Sequence, residues 1–410
     1  MEEEDNKKSV QQNIIFYMMG SLIYYVCQWL MTVVIVRMSG YEDAGILSLA
    51  MTVTASPAII GLFNIRNYQV SDIEGQYSNK TYIRSRAYTN LLSYTLCAAM
   101  VIVGGYNLKK AAVILIFMLF KVSEGLADVY YGIEQKWERM DYTGISMTVR
   151  GIGTITLFVV TFLLTESILL SVIAVSVFSF TVIYIYDRKM VKHWVKNEEK
   201  ADWNEIKELL ITCLPLAVVA FLNNFSINLP KMYLENYFGS EVMGYYNSVA
   251  SPTIVVQLAA ATIFAPLVPV LTTEYNHGNK KAFLAILKKI GILFFTLSGI
   301  SLIGAKLLGH WGLALLFQDG IEPYVYLFLP TMGVSILIAI NAGLFSLCTL
   351  LREIKAQYII GAAGVIVSWV LASMLVKVHS MIGVVYVLIG TLVVQIAIQI
   401  ILIAKRVGKM

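Results

Sequence analysis

Between residues 111 and 150 the chain places Lys121, Glu124, Asp128 and Arg150 in segments otherwise apolar enough to cross a bilayer. A charge at mid-membrane costs at least about 2.5 kcal/mol on insertion scales, so such groups face a protein interior or a watery path, where they pair or meet a charged ligand. At 100° per residue, Lys121, Glu124, Asp128, Tyr131 and Gln135 share one helix stripe roughly 80° wide. Thr143, Ser146, Arg150, Thr154 and Thr161 make a second stripe on the following segment. Arg150 sits about 10 Å from its inner helix end, and Asp128 and Glu124 about 8 and 14 Å from theirs, at 1.5 Å rise per residue. Arg150 is therefore expected to pair with one of these carboxylates, leaving Lys121 as the deeper, less compensated cation. Two facing polar stripes predict an aqueous cavity. The bland alternative is an ion-pair cluster that only fixes helix packing.

The elements that must position these groups are membrane helices. With 58% hydrophobic and 14% charged residues over 410, and a mean hydropathy of +0.72, the chain cannot hide its apolar surface in a soluble core. The acidic start MEEED and the long apolar run from Ile14 to Val36 argue against a cleaved signal peptide. Roughly 20 apolar residues are needed per span. Read at that length, the sequence predicts an all-α polytopic membrane protein of twelve transmembrane helices. They fall near 14–36, 44–64, 87–104, 111–133, 143–164, 167–186, 208–229, 242–270, 285–306, 323–350, 357–377 and 381–404. The ninth begins inside Lys288-Lys289 and the tenth is interrupted by Pro330.

Orientation follows from the basic residues. With a cytoplasmic amino terminus, inner regions carry 23 of the 31 Lys and Arg and outer loops six, which puts both termini in the cytoplasm. No soluble basic face exists for a nucleic acid, so none is expected as a partner. Cys27, Cys97, Cys213 and Cys348 lie singly in apolar segments, and the four histidines are scattered, so neither a metal site nor a cofactor is expected.

A G-x-E-x-x-G turn recurs at an offset of 199, at Gly40 to Gly45 and Gly239 to Gly244. Six spans separate the copies, so the chain reads as two six-helix lobes related by a parallel internal repeat. The expected division is 1–190 for the N-terminal lobe, 191–207 for a cytoplasmic linker, 208–404 for the C-terminal lobe and 405–410 for a tail. Further groups could line the same cavity. Ser21, Tyr25, Gln28 and Thr32 share a face of the first helix; Asn223, Asn224 and Asn228 precede Pro230 and Lys231 on the seventh; Asn341 lies on the tenth. Such residues serve as often in interhelical hydrogen bonds. The inner exit of the second helix, with Arg66, Asp72, Glu74, Lys80, Arg84 and Arg86, reads as a gate or as an ordinary positive-inside loop.

The order K-x-x-E-x-L-x-D-x-x-Y-G-x-x-Q from Lys121, then R-M-D at Arg139 and S-x-x-x-R-G ending at Gly151, with R-x-Y-Q-x-S-D from Arg66 and N-x-P-K ending at Lys231, resembles the Wzx-type polysaccharide flippases. These belong to the multidrug/oligosaccharidyl-lipid/polysaccharide exporter superfamily. The resemblance runs over essentially the whole chain. It implies a multi-pass protein of the bacterial inner membrane that turns an undecaprenyl-pyrophosphate-linked oligosaccharide from the cytoplasmic to the outer leaflet, for O-antigen, capsule or teichoic-type polymers. Membrane lipid, a polysaccharide polymerase and glycosyltransferases are the partners it suggests. It also implies that cavity cations meet the diphosphate, a role that falls on Arg150 and Lys121, then on Arg66 and Lys231. Lysine stands at 231 where the family has arginine, replacing a bidentate fork by a point charge.

Two rivals share parts of this pattern. A multidrug or cation antiporter of the same superfamily should prefer a carboxylate-rich cavity, yet the first helix has no acid between Ile14 and Val36. A polytopic membrane enzyme, such as a polymerase or acyltransferase, would want catalytic groups on a sizeable loop, and the longest outer loop runs only from about Lys306 to Glu322. A receptor or assembly scaffold has no positive feature in its favour.

Overall fold

A computed structural model of the protein describes residues 10–72, 75–196, 201–264, 267–317 and 319–408, and every regular element among them is helical. This is the expected solution for a chain in lipid, where each backbone N–H and C=O must be satisfied within its own segment. Nine helical stretches among the described residues are long and apolar enough to span a membrane. They are 11–39, 41–71, 79–104, 140–165, 168–195, 203–264, 280–317, 320–350 and 354–408. The protein is a multi-pass membrane protein.

The N-terminal part contains α1 (Val10–Ser39), α2 (Tyr41–Leu62), α3 (Ile65–Ser71), α4 (Asn79–Gly104), α5 (Leu108–Lys136), α6 (Met140–Thr165), α7 (Ile168–Val182) and α8 (Arg188–Lys196). Helix α5 is 29 residues long but is not among the nine, because its charges interrupt the apolar run. A π-helical turn, Ile183–Asp187, joins α7 to α8. The chain continues with α9 (Trp203–Ala250), α10 (Ile254–Phe264), α11 (Leu267–Asn276), α12 (Lys280–Phe317), α13 (Phe328–Leu350), α14 (Ile354–Leu371) and α15 (Lys377–Gly408). Two of these are broken inside: α9 at Gly239 (φ 83°, ψ 178°) and α15 at Ser380 (φ 52°, ψ −130°). Pro330 does not interrupt α13, since it occupies the first turn, where the N–H has no intrahelical acceptor.

The chain divides into two compact units, one of Met1–Ser39 with Ile46–Phe221, the other of Gly40–Gly45 with Leu222–Met410. The division falls inside α9, not in the segment 191–207; residues 197–200 of that segment lie outside the described residues. The start of α9 belongs with the first unit because Leu209, Cys213 and Ala217 join Ile60, Phe63, Tyr82 and Val129 in one apolar cluster.

Within the first unit, α1 and α6 approach until backbone meets backbone. A Cβ on Gly20 would stand 2.3 Å from the Gly144 carbonyl oxygen, and one on Gly144 equally close to that of Phe16. A Cβ on Gly151 would lie 2.9 Å from the Tyr24 Cα. Small residues permit such contact between membrane helices, and here it sets Tyr24 beside Arg150.

The second unit has an apolar cluster of Phe264, Leu271, Phe283, Leu347, Cys348 and Ile403. An amide network crosses it, with Gln395 bonded to Asn223 and Asn341, and Asn341 accepting from Gln399. Here too the two G-x-E-x-x-G turns meet. Gly40 and Gly239 both adopt φ +83°. A Cβ on Gly45 would fall 1.6 Å from the Ser240 carbonyl oxygen, and one on Gly244 would fall 2.1 Å from that of Tyr41. Since Ser240 is Tyr41 plus 199 and Gly244 is Gly45 plus 199, the two contacts exchange under the repeat offset.

Candidate functional site: a cationic cluster in the first unit

Helices α1, α3, α4, α5, α6 and α7 each contribute to a charged cluster built on the α5 stripe. Lys121 Nζ lies 2.7 Å from Glu124 Oε2, one turn along the same helix, and over the rings of Phe117 and Phe120. The other oxygen of Glu124 accepts from the Tyr24 hydroxyl. Asp128 is held from two sides, by Arg86 at 2.7 Å and Arg66 at 3.3 Å. Arg66 also donates to Gln135 (3.0 Å), and Arg86 to the Gly61 carbonyl (2.6 Å).

Arg150 does not pair with Glu124 or Asp128, contrary to the expectation from depth. Its Nε and Nη2 donate to Ser179 Oγ at 3.1 and 2.8 Å, and its Nη1 to the Tyr131 hydroxyl at 3.2 Å. The guanidinium lies 5.5 Å from the centre of the Tyr24 ring. The hydrogen bonds of Arg150 thus go to neutral hydroxyls, and Tyr24 stands beside both it and Glu124. Lys121, expected to lack a level partner, has one in Glu124.

Exposure divides the cluster into a front and a back. The side chains of Lys121, Glu124, Arg66 and Asp128 are 20–24% exposed, whereas Arg150 is 2% exposed and Arg86 fully buried. A ligand reaching this cluster would meet Lys121 and Arg66, with Arg86 and Arg150 holding the frame behind them. The part joined by ion pairs to Glu124 or Asp128 carries three cations, Lys121, Arg66 and Arg86, against two carboxylates.

The α5 and α6 stripes do face each other. Tyr131 and Ser146 share a hydrogen bond of 2.9 Å, and Thr143 donates to Glu134 at 2.6 Å. Gln28 is buried and donates to Thr154 at 3.4 Å, a long contact. On α1 the inward residue is Tyr24; Tyr25, expected on the polar face, is 54% exposed. Lys231 and Asn228 lie in the second unit. Lys231 is half-buried on α9, and Asn228 donates to the carbonyl and side-chain oxygens of Asn224 at 3.0 and 2.8 Å.

Around α3 and the start of α4, the expected gate residues are spread over separate contacts. Asp72 accepts from the backbone N–H of Gln76 and Tyr77 and from the Tyr82 hydroxyl, with Lys136 at 3.9 Å. Burial works to raise its pKa, but these donors together hold the carboxyl below its ordinary range. Arg84 donates to the Ala201 carbonyl, and Glu74 lies outside the described residues. Sequence reasoning did not select Tyr24, Ser179, Glu134 or Asp187. The spacing of Tyr24 and Gln28, one turn apart, was the available signal for the first; Glu134 and Asp187 are buried, with oxygens that have no hydrogen bond of full geometry.

Residues 10–273 match the family model described as polysaccharide biosynthesis protein. The chain belongs to that family. Over 382 residues, covering 91% of this chain and 93% of the other, it is 27% identical to the capsular polysaccharide biosynthesis protein CapF of Staphylococcus aureus. Among solved structures it is similar to an inward-facing multidrug resistance MATE family transporter of the MOP superfamily (TM-score 0.70, 11% identity, 98% of this chain and 99% of that one). It is also similar to the eukaryotic MATE transporter AtDTX14 (TM-score 0.66, 14% identity, 97% and 96%) and to a MOP superfamily transporter from Pyrococcus furiosus (0.62, 13%, 98% and 97%). At such identities these structures speak for the fold alone, and that fold is the one the Wzx-type motifs implied.

Proposed function

We propose that this member of the polysaccharide biosynthesis family is a flippase that moves an undecaprenyl-pyrophosphate-linked oligosaccharide from the cytoplasmic to the outer leaflet. The observation that carries the reading is the accessible pair Lys121 and Arg66, with Arg86 and Arg150 buried beside them. A sugar diphosphate cannot cross hydrocarbon unaided; cations on an accessible face lower that barrier while the polyprenyl tail stays in lipid. Arriving phosphate oxygens would compete with Glu124 for Lys121, and Glu124 would keep its Tyr24 bond. Arg150, held by neutral hydroxyls, would act as a positioning residue for Tyr24 without touching the substrate.

Twelve spans support this architecture once α5 is added to the nine stretches and those containing Gly239 and Ser380 are each counted as two. The mutual contact of Gly45 with Ser240 and Gly244 with Tyr41 supports the parallel repeat. With an even count, the excess of basic residues in one set of loops supports both termini being cytoplasmic. Depletion of the protein in a capsule-producing host tests the reading. A completed lipid-linked repeat unit should accumulate on the cytoplasmic face. Accumulation on the outer face would assign the protein to polymerisation instead, and no accumulation would sink the flippase reading.

A further inference from the structure

Outside the cluster, a cavity of about 540 Å³ opens where α4, α5 and α8 converge. Lys80, Arg84, Arg188 and Lys192 line it, and among the described residues no carboxylate does. Its apolar wall is Ile83, Val191 and Val195, with Tyr130 beside them. The local sequence explains the arrangement. In α8, Arg188 and Lys192 stand one turn apart, as do Val191 and Val195, so a basic stripe runs beside an aliphatic one. The π-helical turn Ile183–Asp187 shifts the helical register at the end of α7 and leads directly into α8.

Large apolar side chains are exposed at the rim. Tyr184 and Ile185, directly before α8, are 67% and 64% exposed, and the Arg188 guanidinium lies 4.9 Å from the Tyr184 ring centre. Trp194 of α8 stacks on Trp137 at 5.7 Å, a pairing suited to the headgroup level where indoles concentrate. Converging cations, an aliphatic wall and an exposed apolar rim together suit a phospholipid seat at the basic face of a membrane protein.

We propose that this cavity binds the phosphate headgroup of a lipid, with the start of an acyl or prenyl chain along Ile83, Val191 and Val195. Two lipids share that chemistry, a bulk anionic phospholipid and a polyprenyl diphosphate. Lipid retention is read without transport, so the proposal can fail while the flippase reading stands, and the reverse.

Native mass spectrometry of the full chain, released from micelles with equal phosphatidylglycerol and phosphatidylcholine, tests it. The wild type should retain phosphatidylglycerol preferentially. The double variant Arg188→Gln/Lys192→Gln should lose most of that preference, at roughly fivefold per cation, while Arg188→Lys/Lys192→Arg should keep it. Equal retention of both lipids by the wild type, or an undiminished preference in a monodisperse Gln variant, overturns the proposal. Should the double variant fail to fold, Lys192→Gln alone, at an exposed position, carries the same criterion. Adding undecaprenyl diphosphate separates the sources: displacement of phosphatidylglycerol assigns the seat to the diphosphate lipid, and its retention assigns it to bulk phospholipid.

Discussion

Gly45→Ala and Gly244→Ala probe the contact between the two recurring turns. A Cβ meets its neighbours comfortably at 3.4–4 Å. At Gly45 it would stand 1.6 Å from a backbone oxygen, so a separation of about 1.8 Å (3.4 − 1.6) must be opened; at Gly244 the figure is about 1.3 Å (3.4 − 2.1). Neither obstacle is a flexible side-chain end, so helix backbone must move. Overpacking costs typically about 1–3 kcal/mol when side chains can shift, and both substitutions should lie at or above the upper end, Gly45→Ala being the worse. Gly40 and Gly239 provide the control. Nothing lies within 4 Å of a Cβ there, so alanine meets only the backbone strain of φ +83°, about 1–3 kcal/mol. Thermal unfolding in detergent, followed by monodispersity, should rank the four variants Gly45, Gly244, then Gly40 and Gly239 together. Wild-type stability for Gly45→Ala, or a larger loss at Gly40 than at Gly45, would show that the turns do not meet as described.

Asp128→Asn should cost about 3–5 kcal/mol, because it strips the fully buried Arg86 of its counter-ion; adding Arg86→Met should recover part of the loss, and equal melting of the single variant and wild type would contradict the pairing. Asp72 supplies a pH test. Its folded pKa is depressed, so its stabilisation is fully present above the unfolded value of about 3.9 and is lost as pH falls through the folded value. The difference in melting temperature between wild type and Asp72→Asn should therefore stay flat from pH 8 to about 5 and shrink only below about 4. A periplasm-dependent reporter fused after Met410 should be silent, and activity there would show that a span has been miscounted.

The polar stripes of α5 and α6 were legible because charge is rare in such segments, so each ionisable residue announces the face it lies on. Partner choice was not legible. Periodicity fixes an angle on one helix but not which neighbour fills it, and Arg150 found its acceptors in Ser179 and Tyr131, neutral hydroxyls that no charge-matching argument would select. Tyr25 was chosen over Tyr24 through a difference of one residue, about 100° of rotation, that only the glycine-mediated approach of α1 to α6 decides. Arg86 was read as part of a basic loop because the third span was expected to start at residue 87; α4 begins at Asn79, which carries Arg86 into the buried part of the unit.

Glu124→Gln distinguishes anion transport from the cation export that the fold alone would equally allow. Glu124 accepts from both Lys121 and Tyr24, so in the wild type a phosphate must compete with a carboxylate already in place. Glutamine keeps length and a carbonyl acceptor for Tyr24 but removes the competing charge. Lys121 is 23% exposed, so leaving it without an ion pair is tolerable in a way it would not be for Arg86. Charge-assisted hydrogen bonds are about twice as strong as neutral ones, so the freed ammonium should hold a polyprenyl diphosphate more tightly and release it more slowly. Reconstituted Glu124→Gln is expected to show tighter diphosphate binding with reduced turnover, whereas Lys121→Gln loses binding. A cation exporter must give the reverse, since Glu124 would then be the group its cargo meets. Weaker diphosphate binding by folded Glu124→Gln than by wild type would refute the role assigned to Lys121.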